Sequence, residues 1–330
     1  MSYTNGLDKP SDYFNTVLYT GNDTDNRTVS GVGFQPDFLW IKARADAYQN
    51  YLQDVVRGST KVLFSDSSSA EDTRVSAVKS FASDGFVLGQ EAQVNRNGGT
   101  FVGWNWKEEA TLFDIVSFTG NGNARTISHN LGSVPKFMII KDRDNVRNWG
   151  TYHVAIGAGK DAGYLNNNVV PEANNNFWNN TTPTASVFSV GTDGTYNANG
   201  VPYIIYLFGD SSMSKCGSYT GNGNADGPFV YTGFKPAWTM IKRTDGADNW
   251  VMDDNKRSTF NVMENTLYAN LNNAEYTSNL YGIDFLSNGF KIRDDDGNYN
   301  NSGGSYIYIS YAENPFVTST GNGSIPACAR

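Results

Sequence analysis

The sequence is poor in the residues that many catalytic and metal sites need. Among 330 residues there are only two cysteines and two histidines. Cys216 and Cys328 fall far short of a disulfide framework, so we expect two unpaired thiols made in a reducing cytoplasm. Only His129 and His153 are present, so the sequence offers few residues for histidine-based catalysis or metal binding. We therefore do not expect an enzyme.

The chain also lacks clustered positive charge and long apolar runs. It has 25 Lys and Arg against 33 Asp and Glu, which gives a net charge of −8. Phosphate backbones and anionic membranes attract clustered cations, so nucleic acid and membrane surfaces are not expected partners. No stretch approaches the roughly 18 apolar residues of a membrane span. The first ten residues lack a signal-peptide profile, so an exterior location would require lysis or assembly into a particle.

What the sequence does contain is a threefold internal repeat. Closely similar tetrapeptides begin at Tyr19, Phe118 and Tyr219, which are 99 and then 101 residues apart. Each is followed by a proline-led aromatic segment whose closing lysines show the same spacing: Lys42, Lys141 and Lys242. This period exceeds the roughly 20–50 residues of solenoid repeats and matches a small domain. The repeat predicts three similar modules, an arrangement that usually displays a surface.

Composition and periodicity favour β-structure. The chain has 34 glycines, 14% aromatic residues and only 18% charged residues, which is typical of strands joined by turns. Asp-Gly or Asn-Gly turns occur before the last predicted strand of each repeat, at Asp84, Asp193 and Asn288. Residues 70–81 are the best helical candidate, although their Ser and Thr content favours a turn. We predict an all-β fold of three tandem antiparallel β-sandwiches, jelly-roll or lectin-like, of about 100 residues each.

The predicted division has five segments: an N-terminal arm (1–13), modules 14–110, 111–212 and 213–316, and a C-terminal tail (317–330). The arm and the tail are polar and are expected to become ordered only against something else. The linkers between modules are very short, so neighbouring modules are expected to touch. Each module is expected to close its own interior between two layers of strands. One core shared by all three segments would contradict the display interpretation.

Candidate catalytic groups lack supporting motifs. His153 has no nucleophile elbow, and the glycine-containing runs lack a phosphate-binding lysine and a following helix. Acidic residues that glycoside hydrolysis would need are present, but their setting is not repeated across the modules. These acids are Asp54, Asp253, Asp254 and Glu264. No catalytic residue is assigned.

One acidic segment is a candidate calcium site. Asp294, Asp296 and Asn298 form the densest group of oxygen ligands in the sequence. Calcium prefers six to eight such oxygens, but the segment lacks the distal glutamate of an EF-hand. The other two modules have no counterpart. A hairpin turn is therefore the favoured interpretation, and no cofactor is assigned.

Aromatic residues beside asparagine are the candidate ligand-binding residues. Asn-Trp pairs recur 101 residues apart, and a polar insert in the second module contains a Phe-Trp pair. A ring can stack on the apolar face of a sugar while amides bond its hydroxyls, and exposed aromatic area indicates contact. Because the Asn-Trp pairs are repeated, a core position is favoured for their tryptophans; the Phe-Trp pair is expected to form a contact surface. The candidate set is Asn148, Trp149, Phe177, Trp178, Asn249 and Trp250.

Several segments follow one another in a characteristic order: Tyr19–Asn22, Gly31–Lys42, Ser80–Phe86, Thr100–Trp106, Ser117–Gly132, Tyr231–Trp238 and Ala312–Phe316. In this order they resemble a repeat found in virion proteins of marine bacteriophages, over roughly residues 11–316. The resemblance implies a structural or tail-fibre-associated virion protein with concanavalin-like lectin modules. It brings no catalytic residues with it.

The residues and the resemblance together predict a tail fibre or adhesin that attaches a phage to bacterial surface glycan. Weak contacts would become multivalent through repetition. The protein would be synthesised in the host cytoplasm and lie on the exterior of the virion, with other virion proteins as partners and a homotrimer by analogy with phage fibres. The alternatives are a head- or tail-decorating protein without receptor binding and a polysaccharide depolymerase.

Overall fold

The computed structural model describes residues 9–277, 282–315, 317–320 and 323–326, and nearly all of its regular structure is β-strand. The predicted all-β sandwich class is confirmed, and every strand pair among these residues is antiparallel. We call residues 9–110, 111–212 and 213–315 the first, second and third parts. Residues 1–8 of the predicted arm and Cys328 lie outside the described residues. Cys216 is a buried free thiol.

The first part consists of two sheets. A 3-10 turn at Pro10–Asp12 precedes the first strand. The larger sheet has the order β1-β9-β3-β4-β5-β6, and the smaller has the order β2-β8-β7. The elements are β1 (Phe14–Thr20), β2 (Arg27–Ser30), β3 (Phe38–Ala43), β4 (Tyr51–Asp54), β5 (Lys61–Phe64), β6 (Asp72–Thr73), β7 (Val78–Ala82), β8 (Gly85–Leu88), α1 (Ala92–Asn95) and β9 (Thr100–Trp106). The helical candidate at 70–81 is therefore not helical but contains β6 and part of β7.

The second part repeats this plan with fewer strands. Its sheets have the orders β10-β15-β12-β13 and β11-β14. The long segment between β13 and β14 takes the place of further strands. The elements are β10 (Phe113–Thr119), β11 (Arg125–Ser128), β12 (Phe137–Asp142), β13 (Gly150–His153), β14 (Val187–Val190), α2 (Gly194–Asn197) and β15 (Pro202–Phe208).

The third part returns to the plan of the first. Its sheets have the orders β16-β24-β18-β19-β20-β21 and β17-β23-β22. The elements are β16 (Ser214–Thr220), β17 (Phe229–Tyr231), β18 (Phe234–Arg243), β19 (Val251–Asp254), β20 (Asn265–Tyr268), β21 (Tyr276–Thr277), β22 (Ile283–Leu286), β23 (Gly289–Ile292), α3 (Gly297–Asn300) and β24 (Ser305–Pro315). A terminal hairpin pairs β25 (Val317–Thr320) with β26 (Gly323–Pro326). None of the described helices is long and apolar enough to cross a membrane.

The repeated Thr-Gly-Asn motif is explained by one hydrogen-bonded connection. In the first part, the Asn22 amide donates to Oδ1 of fully buried Asn95 at 3.1 Å, and Asn95 Nδ2 donates to the Gly89 carbonyl at 2.7 Å. Gly21 is required because a Cβ there would lie 2.0 Å from the Arg96 carbonyl oxygen. The same amide-to-Oδ1 bond joins Asn121 to Asn197 at 3.0 Å and Asn222 to Asn300 at 2.7 Å.

Each part has a hydrophobic cluster of its own between its two sheets, as expected. A fourth cluster, however, contains buried residues from all three parts. At its centre the Phe14 ring lies 4.9 Å from the rings of both Trp106 and Tyr311, and Trp106 lies 5.5 Å from Trp238. Each part therefore closes an interior of its own, and the shared core packs the three parts against one another. Display of a surface by the three parts and folding of each part alone stay predictions.

A buried ionic cluster joins the first part to the second. Arg57 Nε donates to Asp54 Oδ2 at 2.5 Å, and the side chains of both residues are fully buried. The Tyr206 hydroxyl of the second part donates to Asp54 Oδ2 at 2.8 Å. Glu71 accepts from Arg57 Nη1 at 3.2 Å and from Arg143 of the second part at 2.9 Å. Opposite charges are thus paired across the contact, as burial requires.

The third part contacts the first through a matching cluster. Arg257 Nε donates to Asp254 Oδ2 at 2.5 Å, and Trp104 Nε1 of the first part donates to the same oxygen at 3.0 Å. Glu275 accepts from Arg257 Nη1 at 3.1 Å and pairs with Arg44 of the first part at 2.7 Å. The contact between the third and first parts therefore uses the same arrangement of Asp, Arg and Glu side chains as the contact between the first and second parts.

The contact between the second and third parts is different. His153 is the last residue of β13, and Ile156 follows three residues later. The first part has Asp54 and Arg57 at these positions, and the third part has Asp254 and Arg257. His153 Nε2 lies 3.1 Å from the Tyr308 carbonyl oxygen, and burial lowers the pKa of His153 to about 4, so the ring is neutral. A cleft of about 420 Å³ opens here beside Ile156 and Thr244.

Candidate ligand-binding pocket

The repeated tryptophans occupy the interior, as the favoured interpretation predicts, so they offer no face to a sugar. Trp149 is 0% exposed, and its Nε1 donates to the Phe64 carbonyl of the first part at 2.9 Å. Trp250 is 2% exposed, and its Nε1 donates to the Tyr164 carbonyl of the second part at 3.1 Å. Both rings therefore connect neighbouring parts.

The expected contact surface at Phe177 and Trp178 is wrong. These residues are 2% and 1% exposed and belong to the core of the second part. Their rings pack 4.8 and 4.9 Å from the Tyr196 ring, and Trp178 Nε1 donates to the Thr151 carbonyl. The polar residues around them in sequence face outward while the two rings turn inward.

The neighbouring asparagines also serve the fold. Asn148 Oδ1 accepts from Asn166 Nδ2 at 3.0 Å, and Asn249 Oδ1 accepts from Asn270 Nδ2 at 2.8 Å. Each of these partners accepts in turn from the amide of the tryptophan that follows, at 2.8 and 2.9 Å. The six residues of the predicted ligand-binding set are thus half-buried or buried, and the three tryptophan Nε1 groups and both asparagine Oδ1 atoms are hydrogen-bonded inside the protein.

The predicted calcium segment forms the N-terminal cap of α3. Asp296 Oδ1 accepts from the Asn298 amide at 2.8 Å, and Asp294 Oδ1 accepts from the Asp296 amide at 2.6 Å. These bonds are those of a turn and a helix cap. Among the described residues, no group of three or more His, Cys, Asp or Glu side chains is placed to hold a metal ion.

The same three residues do line a pocket of about 180 Å³ in the third part. The pocket lies between β20, β21 and the start of α3. Its walls carry three carboxyls, four hydroxyls and one amide, and Tyr276 is 53% exposed at its rim. The lining residues are Glu264, Thr266, Tyr268, Tyr276, Asp294, Asp296, Asn298 and Tyr299. Glu264, considered above for hydrolysis, is among them.

A buried hydrogen-bond network fixes the pocket floor. The Tyr299 hydroxyl lies 3.0 Å from Asp253 Oδ2 and 2.8 Å from Thr266 Oγ1, which itself donates to Asp253 Oδ1 at 2.9 Å. Burial raises the pKa of Asp253 to about 7, although nearby Arg257 opposes the shift. Tyr299 and Thr266 are therefore held in place before any ligand arrives.

The pocket is electrically negative above neutral pH. Among the described residues that line it, none is Lys or Arg. Burial, with the nearby charges of Asp296 and Asp295, raises the pKa of Asp294 to about 6. The wall therefore gains negative charge as the pH rises through this range.

The other two parts fill the corresponding position with side chains. Strand pairing equates Tyr268 with Phe64, because these residues lie opposite Val251 and Tyr51 of the adjacent strand. In the first part Val62, Phe64 and Val94 are buried there, and in the second part Phe177 and Trp178 cover the Tyr196 ring. Within the described residues, the third part has polar side chains and open space at the position where the first and second parts bury apolar side chains.

The sequence grouped Asp294, Asp296 and Asn298 as a calcium candidate and offered Glu264 separately as a candidate acid, but it did not bring Glu264 together with that group. Thr266, Tyr268, Tyr276 and Tyr299 were missed. The available signal was a comparison of the repeats, in which apolar positions of the first part become hydroxyl-bearing positions in the third.

Comparison with known proteins places the chain in a family. Residues 9–315 match the model of a family described as a domain of unknown function (DUF7483), and the chain belongs to this family. One family model thus covers all three parts, in keeping with the shared core. The sequence matches no curated protein.

Proposed function

We propose that the protein is a non-catalytic glycan-binding protein whose binding site is the third-part pocket. The observation that carries this proposal is the open, polar pocket at a position that the other two parts fill. Sugar hydroxyls can donate to Glu264, Asp294 and Asp296, and the Asn298 amide can donate to a sugar oxygen. The half-exposed ring of Tyr276 offers a stacking face beside these polar groups.

The geometry favours binding over hydrolysis. Asp294 and Asp296 each accept a backbone amide hydrogen bond that shapes the turn before α3. A glycoside hydrolase needs one carboxyl free to donate a proton and a second carboxyl free to attack or to activate water. Binding requires only that the acceptors stay fixed. A single site also replaces the multivalent binding that the repeat predicted.

The particle assignment is part of the proposal and rests on the resemblance to marine phage virion proteins. The protein would lie on the virion exterior, contact other virion proteins and meet bacterial surface glycan. A homotrimer stays a prediction by analogy with phage fibres. The central aromatic cluster does not bear on it, because that cluster is built from the three parts of one chain.

One observation favours a second candidate, a decorating protein without receptor binding. The shared core and the ionic clusters pack the described residues of the three parts into a single body. Such a body suits a purely structural role on a shell as well as it suits presentation of a pocket.

A glycan array tests the binding proposal. Wild-type protein, Tyr276→Ala and Glu264→Gln are compared with Val75→Ala, which changes an exposed apolar residue of the first part. Loss of the Tyr276 ring is expected to weaken binding about tenfold, the equivalent of roughly 1.4 kcal/mol. Absence of wild-type binding, or unchanged binding by both pocket variants, would contradict the proposal and favour the decorating role.

Immunolabelling tests the particle assignment. Antibody against residues 9–315 is applied to purified phage particles from the source that expresses the protein. Label at the tail supports attachment and label over the head supports decoration. Unlabelled particles, with the protein found only in the lysate, would overturn the virion assignment.

A further inference from the structure

A pair of exposed aromatic rings marks the outer face of the smaller sheet in the third part. Phe229 and Tyr231 alternate on β17 with buried Val230 and are 45% and 60% exposed. Gly289 lies opposite Tyr231, where a Cβ would come 2.1 Å from the Val230 carbonyl oxygen and 3.0 Å from the Phe229 ring. Gly85 of the first part meets the same backbone constraint opposite Ser30, so the glycine belongs to the sheet and the feature peculiar to the third part is the pair of exposed rings. We call Phe229 and Tyr231 the aromatic platform.

The platform is not needed to build the sheet. The strands β2 and β11 occupy the same place in the other parts, with Val29 and Ile127 buried where β17 has Val230. Their outward positions hold short hydroxyl side chains in both cases. The exposed residues there are Thr28 and Ser30 in the first part, and Thr126 and Ser128 in the second. Two parts thus fold with polar residues where the third exposes rings, and exposed aromatic area of this kind indicates contact.

The charges beside the platform neutralise one another. Lys291, which lies opposite Phe229, pairs with Asp226 at 2.8 Å. Arg293 pairs with Asp284 at 2.6 Å and lies 3.6 Å from Asp226. Two cations and two anions leave no net charge, so the face matches an uncharged partner.

The platform is too small for a stable protein interface. An aromatic side chain presents on the order of 200 Å² of surface, so the exposed fractions of Phe229 and Tyr231 together give roughly 200 Å². A stable protein partner covers about 800 Å² on each side. The flanking ion pairs are polar and do not extend the apolar area. A ligand with a narrow, flat apolar face fits this area.

We infer that the aromatic platform binds a neutral polysaccharide, whose sugar rings stack on Phe229 and Tyr231. This inference rests on the proposed glycan-binding function and adds a second contact, on β17, to the pocket between β20, β21 and α3. The two sites share no residue, so each can be changed without altering the other.

Retention on insoluble neutral polysaccharides tests the inference. Cellulose and chitin particles are titrated with wild-type protein and with the double variant Phe229→Thr/Tyr231→Ser, which gives β17 the outward residues of β2. The matched control is Thr28→Ala/Ser30→Ala in the first part, and Tyr276→Ala reports on the pocket. The expected result is at least a tenfold loss of retention on one of the two particles for the platform variant alone.

Each other outcome has a defined meaning. Equal retention of the wild type and the platform variant, or no retention of the wild type on either particle, overturns the inference. If Tyr276→Ala loses array binding while the platform variant keeps retention, the inference fails and the proposed function stands. If the platform variant changes only self-association in sedimentation, the platform joins two copies of the chain and the inference is again overturned.

Discussion

Arg57→Met is expected to destabilise the protein by about 3–5 kcal/mol, because it breaks a buried ion pair and leaves one charge behind. The side chains of Arg57 and Asp54 are fully buried, and Arg57 also donates to the Leu52 carbonyl at 2.9 Å and to the Tyr206 hydroxyl at 3.2 Å. Methionine fills similar volume but satisfies none of these groups. Asp54 would keep only the Arg57 amide and the Tyr206 hydroxyl as partners.

The double variant Asp54→Asn/Arg57→Met separates lost charge pairing from lost packing. It removes both charges, so it is expected to cost less than half as much as the single change. Urea unfolding followed by tryptophan fluorescence gives both free energies of unfolding. The control is Ile156→Met at the corresponding position, which exchanges apolar groups and should cost under about 1.5 kcal/mol. A single-variant cost below about 1 kcal/mol, or a double variant at least as unstable, would refute the argument that this ionic cluster holds the first and second parts together.

Three further predictions follow from the interior. Because burial raises the pKa of Asp253 to about 7 and that of Asp161 to about 8, the folded state retains their protons, so the contribution of these two groups to stability should be fully present below about pH 4 and be lost as the pH rises to 8; Asp253→Asn should remove about 2.7 kcal/mol of this fall between pH 5 and pH 8 in urea unfolding. An unchanged pH slope in Asp253→Asn would contradict that assignment. Gly120→Ala should lower the thermal midpoint sharply, because its Cβ would lie 2.1 Å from the Ala198 carbonyl oxygen. Gly200→Ser is the control: its Cβ would meet open space, and its positive φ should reduce the free energy of unfolding by only about 1 kcal/mol. Trp178→Ala should cost about 3–5 kcal/mol by calorimetry through cavity formation, and a loss below 1 kcal/mol would mean that the ring is not core.

The strands were predictable because their signals are local. Each proline-led aromatic segment forms a strand whose residues are nearly all buried, at β3, β12 and β18. These strands have one face toward the core of their own part and the other toward the shared core. A strand covered on both faces appears in sequence as a continuous apolar run. The run reveals burial, but it does not reveal what lies on the second side.

The aromatic site residues were mispredicted because their neighbours in sequence are not their neighbours in space. Phe177 and Trp178 stand among asparagines, yet their rings pack on Tyr196 from another element. The pocket was missed for the same reason. Thr266 and Tyr299 are 33 residues apart in sequence and meet at 2.8 Å only in the folded chain.

The contact between Phe14 and Tyr311 in the shared core has a consequence for the order of the three parts along the chain. The chain connects the first part to the second and the second to the third, but the contact from third to first has no covalent connection and is made by side chains and by the hydrogen bond from the Glu275 amide to the Arg44 carbonyl. A circular permutant that starts at residue 111 and joins residue 315 to residue 9 by a short linker retains every one of these contacts. The linear order is thus one of three orders of the parts in which the same three contacts can form.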